Sequence, residues 1–105
     1  MAPKIVPRRW ALVPGTFGKA RQIDWATATN DRQADLLRAA QMQHDWAWRL
    51  TVYRRAHKLT IPDLADRMDM SEQRMGDLLR GDSPANLLDL ATAERLARTR
   101  DADAP

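Results

Sequence analysis

Leu59–Gly81, LTIPDLADRMDMSEQRMGDLLRG, is the stretch whose reading decides the fold. It reads as two short helices joined by a tight turn. Thr60 is a good N-cap, and Asp63 three residues later can complete a capping box. Pro62 falls in the first turn, where its missing N–H costs little. Leu64, Ala65 and Met68 then form one apolar stripe. The first helix should stop near Asp69. Ser71 caps the second, whose inner face carries Met75, Leu78 and Leu79. Gly81 can take the left-handed conformation that ends a helix. Glu72, Gln73, Arg74, Asp77 and Arg80 are left for the exposed face.

The spacing has physical reasons. Two short helices that cross steeply need a small residue where their axes approach, and Ala65 supplies it. The turn between them needs a residue tolerant of positive φ. Glycine is favoured there, and Asp69 is a less favourable substitute. With these features the stretch resembles the lambda-repressor-like (Cro-type, XRE) helix-turn-helix family. The resemblance covers about half the chain, from Trp46 to Leu96. It rests on Arg54, Leu59, Leu64-Ala65, Met68, Ser71, Met75, Leu78, Gly81, Pro84 and Leu90-Ala91. It implies a five-helix all-α fold and DNA binding; periodicity alone implies only helices. The chain departs from the family pattern twice. Asp69 stands where the family usually has glycine. Leu79 stands where many members have a glutamate paired with the first-helix arginine, here Arg54, so Arg54 is expected to be free for phosphate.

Outward from this stretch, Thr29 or Asn30 can cap a helix starting at Asp31. Leu36, Ala40, Gln43, Ala47 and Leu50 recur at helical spacing and nothing breaks the run before about Lys58. One long helix fits, and so do two in-line helices with a bend near Gln43–Asp45. On the other side, Ser83 with Pro84 should open the last helix. Leu87, Leu88, Leu90, Ala91 and Leu96 should supply its buried side. Residues 1–29, punctuated by Pro3, Pro7, Pro14-Gly15 and Gly18, keep no helical period apart from a possible extended piece at Trp10–Val13. They read as a basic arm, partly ordered by packing, because Trp10, Phe17, Ile23 and Trp25 are too apolar for a free tail. Residues 30–98 read as the helical domain and residues 99–105 as a frayed tail.

A chain of 105 residues with net charge +3 is one domain with a modest core. Without cysteine it has neither a disulfide framework nor a thiolate metal site. No apolar run approaches the roughly 20 residues of a membrane span. Pro3, Pro7 and Arg8-Arg9 interrupt any signal-peptide core, so the expected compartment is the cytoplasm. Charge is unevenly spread. Residues 1–30 carry Lys4, Arg8, Arg9, Lys19 and Arg21 against Asp24 alone, whereas residues 61–105 carry six arginines against ten acids. A duplex-binding protein draws bulk affinity from cations on phosphates. Here those cations would lie upstream of the motif.

These readings assign candidate sites. Matching the family motif puts Glu72, Gln73 and Asp77 where members touch base edges. Gln reads adenine, Glu or Asp accepts from the cytosine amino group, and Arg74 reads guanine or holds phosphate. Arg54, Arg55, Lys58, Arg80, Arg8 and Arg9 are the expected phosphate contacts. The first three also simply suit the negative end of a helix dipole, and the N-terminal cations suit a solubilising tail as well as an arm on a duplex. Trp46 and Trp48, two apart on a helix, cannot share a face. With Trp10 and Trp25 they are candidates for a dimer or partner contact; burial in the chain's own core is the competing reading. His44 and His57 read as surface or capping histidines. No nucleophile set, phosphate loop or metal cluster is evident, so no enzyme, cofactor or metal is expected. The expected function is a sequence-specific transcriptional regulator, acting as a homodimer on double-stranded DNA. An antitoxin whose arm holds a protein partner and an interaction adaptor that keeps the fold are the alternatives.

Overall fold

The computed structural model describes residues 5–103, with side chains described as far as Ala97. Lys4, part of the N-terminal charge, and residues 104 and 105 of the expected tail lie outside the described residues. Among the described residues the chain is all-helical, with four α-helices where the resemblance implies five, and no β-strand. They are α1 (Asp31–Ala56), α2 (Ile61–Arg67), α3 (Glu72–Arg80) and α4 (Leu87–Asp103). None is long and apolar enough to cross a membrane.

Helix α1 is one continuous 26-residue element, about 39 Å long at 1.5 Å per residue. Asn30 caps it, its side chain accepting from the Gln33 N–H at 2.8 Å. The same terminator ends α1, α2 and α3. A residue with positive φ (Lys58, 55°; Asp69, 56°; Gly81, 76°) follows each helix. The next N–H then reaches back to the carbonyl five residues before it: Leu59 to Arg54, Met70 to Ala65, Asp82 to Asp77. These are Schellman closures, which satisfy carbonyls the helix leaves open. Asp69 thus occupies the turn position expected of it, and Lys58 does the same at the end of α1. The Thr60–Asp63 capping box and the Ser71 cap, which receives the Arg74 N–H, both form.

Leu50 and Tyr53 of α1, Leu64, Ala65 and Met68 after it, Met75 and Leu78 of α3, and Ala93 and Leu96 of α4 make the core. Two expectations about α4 need correction. The helix opens at Leu87 rather than at Ser83-Pro84. Its cap is Asn86, whose side chain accepts from the Asp89 N–H at 2.8 Å while Asp89 accepts from the Asn86 N–H at 3.0 Å. Leu87 and Leu88 are 85% and 74% exposed, and Ala91 is exposed too, instead of lying on the buried side. The stripe that meets α1, counted back from Leu96 and Ala93 at helical spacing, runs through Leu90 and Asp89 and misses them.

Residues 5–29 lie over α1 and the end of α3. The segment makes 3₁₀ turns at Pro7–Trp10 and Pro14–Thr16, and a single antiparallel bridge joins Ala11 to Trp25. Phe17 is 1% exposed and packs edge-on against both Trp25 and His44. Two glycines permit this approach. At Gly18, with φ +72°, an added Cβ would lie 2.5 Å from the Leu79 carbonyl oxygen; at Gly81 it would meet the Phe17 ring at 2.8 Å.

Candidate functional site

The docked segment, α1 and α3 enclose a cleft of about 660 Å³. Lys19 lines it from the segment, Arg54 and Arg55 from α1, and Arg80 from α3. Glu72 and Gln73, on the first turn of α3, lie on its wall beside these cations. Gly18, Thr51, Ile61, Gly76 and Leu79 complete the surface. The fold therefore gathers four cations here, one of them (Arg80) already paired with Asp77 and Asp82, although the stretch that supplies α3 is acidic overall. The cause is geometric: α1 ends beside α3 and brings Arg54 and Arg55 with it.

Each cation has its own surroundings. The Arg54 NH1 donates to the Leu59 carbonyl at 3.0 Å, while its Nε is enclosed without a hydrogen-bond partner. Leu79, whose side chain offers no acceptor, lines the same cleft. Arg80 donates to Asp77 and to Asp82, each at 2.9 Å. The Asp82 hydrogen bond, foremost among its neighbours, pushes the Arg80 guanidinium above its ordinary value, so it stays charged. Arg55 and Lys19 are exposed. Lys58 is exposed at the end of α1 and does not line the cleft.

Not all the expected site residues meet there. Arg74 turns toward α4: its NH2 pairs with Asp89 at 2.7 Å and donates to the Pro84 carbonyl at 3.2 Å. Its guanidinium ties the loop before α4 to α3. Asp77 accepts from Gln73 at 3.2 Å as well as from Arg80. Arg8 pairs with Asp82 at 2.6 Å, and its backbone N–H donates to Gly81. Arg9 is exposed and does not line the cleft.

The four tryptophans are all half-buried. Trp46 packs against the core under the Arg49 guanidinium, 4.7 Å from its ring. Trp48 lies near Arg21, Val52 and Ala97, and Trp25 packs on Phe17 and His44. The Trp10 carbonyl accepts from Ala26 in the bridge.

The buried polar residues of α1 were not singled out as site residues. His44 is 5% exposed rather than a surface or capping side chain. Its Nδ1 accepts from the Gly18 N–H at 2.9 Å, and its Nε2 then faces the Arg21 carbonyl at 3.3 Å as donor. Thr51 shares its hydroxyl proton between the carbonyls of Ala47 and Gly18. Gln43 donates to Leu78 and Ser83 and accepts from the Ala85 N–H at 2.7 Å. A polar residue on an otherwise apolar helical stripe was the available signal for all three. His57 stays exposed and stacks on Tyr53. Among the described residues no group of His, Asp or Glu side chains is placed to hold a metal ion. No family model matches the chain, and no curated protein or solved structure shows significant similarity to it.

Proposed function

We propose that the chain is a lambda-repressor-like helix-turn-helix protein that binds double-stranded DNA and regulates transcription, with α3 in the major groove. The observation that carries this reading is the cleft, where exposed Glu72 and Gln73 sit beside Lys19, Arg54, Arg55 and Arg80. Base-reading groups flanked by cations are what a duplex requires, since phosphates position a protein and base edges specify the site. In this reading Gln73 meets adenine and Glu72 the cytosine amino group. Asp77 orients Gln73, and Arg74 holds the loop before α4. Binding as a homodimer to a two-fold related site belongs to the same proposal.

The test is selection from a random duplex library, with wild type beside the Glu72→Ala/Gln73→Ala double variant. Wild type is expected to enrich one motif that the variant no longer enriches. Failure of wild type to enrich any motif overturns the reading. That failure would favour an adaptor that holds a protein partner, to which the exposed Leu87 and Leu88 of α4 already point.

A further inference from the structure

The N-terminal segment reads from sequence as an arm whose Arg8 and Arg9 would reach for phosphate. The structure spends it differently. Arg8 pairs with Asp82, a carboxylate it shares with Arg80, is tied through its backbone to Gly81, and does not line the cleft. The residue that the segment delivers to the cleft is Lys19.

We infer that Lys19 is a phosphate contact for one DNA strand, held in register with α3 by a buried latch at Gly18. This inference rests on the reading of the chain as a DNA-binding protein. The latch closes Gly18 from both sides. Its N–H donates to His44 Nδ1 at 2.9 Å, and its carbonyl accepts from Thr51 Oγ1 at 3.2 Å. His44 packs edge-on against the rings of Phe17 and Trp25, each 5.4 Å away, which also touch each other. The fit leaves no slack, because the Gly18 backbone lies directly against the Leu79 carbonyl of α3. The Lys19 N–H, bonded to Thr16 at 3.0 Å, continues the turn, so the ammonium stem starts from a fixed point on the cleft's rim.

Lysine suits this task. It is a compact point charge that holds a phosphate without asking for one geometry. The segment is then a fixed half of the interface, built from α1's buried polar side chains, and not a free arm. Thr51 is a positioning residue that acts through Lys19.

The experiment measures binding of a mixed-sequence duplex to the full chain by fluorescence anisotropy across a salt series. One lost phosphate contact lowers the slope of log affinity on log salt by about 0.9, so wild type should lose about 3.5-fold more affinity than Lys19→Ala between 50 and 200 mM salt. Arg8→Ala should keep the wild-type slope. Thr51→Val, shown folded by circular dichroism, should weaken binding in the wild-type background and have no effect in the Lys19→Ala background. An unchanged slope in Lys19→Ala, or an equal Thr51→Val effect in both backgrounds, overturns the inference while duplex binding by wild type keeps the reading intact. Absence of any binding by wild type overturns both.

Discussion

Gln43 occupies a position on α1 where the helical stripe otherwise carries apolar side chains, and it makes three hydrogen bonds there. They tie the end of α3 to the loop before α4. Replacing Gln43 with leucine keeps the volume but leaves the part-buried Ser83 carbonyl and Ala85 N–H without their partner, while the Leu78 carbonyl keeps the Gly81 N–H. At roughly 1–3 kcal/mol for an unsatisfied buried group, reduced here because both groups are part-buried, the cost should be about 2 kcal/mol in urea denaturation. A loss below about 1 kcal/mol would show that the loop finds other partners. Asp63 works at the same scale. The Thr60 backbone N–H, and then its hydroxyl, hold the Asp63 carboxyl below its ordinary 3.8. A depressed folded value means stability that is complete above the unfolded value and is lost as pH falls through the lower folded one. Wild type should therefore lose more urea resistance than Asp63→Asn when pH is lowered from neutral to below 3.8. Parallel loss in the two proteins would remove the carboxylate from that account.

At the scale of elements, three helices end with the same closure but with different residues in the left-handed position. Only Gly81 takes that conformation freely. Asp69 pays a steric cost there that glycine lacks, offset by the greater freedom of glycine in the unfolded chain. Asp69→Gly should raise stability by about 0.5–1 kcal/mol, a gain of about 2–8 °C in melting temperature for a domain of this size. A fall in melting temperature would mean that the Asp69 side chain stabilises the turn by more than its backbone costs. Gly18 is the opposite case, with positive φ and a carbonyl 2.5 Å from any added Cβ. Gly18→Ala should cost about 2–4 kcal/mol by thermal denaturation, combining backbone strain with overpacking. The helix boundaries around the central turn were legible because caps and terminators act within four residues of themselves. The start of α4 was not. Ser83-Pro84 and Asn86 both offer local start signals, and Gln43, distant in sequence, holds Ser83 and Ala85 in the loop.

For the molecule as a whole, the segment over α1 makes the difference between a four-helix domain with a tail and the observed structure. Phe17 is nearly as buried as Leu64 and Met75 of the core, and Trp25 and His44 pack against it. The segment should unfold with the helices. Tryptophan fluorescence and far-ultraviolet circular dichroism should give coincident denaturation curves, whereas an earlier fluorescence transition would show a segment that releases independently. The sequence by itself determined α1, α2 and α3 with their caps, the positive-φ turn at Asp69 and the apolar faces of α2 and α3. Each of these is set by neighbours a turn or less away, through hydrogen bonds and sterics that any chain with those residues would have. Of the residues that line the cleft, Arg54, Arg55, Glu72, Gln73 and Arg80 were legible as candidates. Only the tertiary structure decided which cations gather there. Arg74 and Arg8 had carboxylates waiting for them, on α4 and beside Gly81, and went to structural pairs. Lys19 reached the cleft because a buried histidine and threonine, twenty-five or more residues away, hold the glycine before it. Those partners are fixed by packing across the chain, and no local pattern in the sequence encodes them.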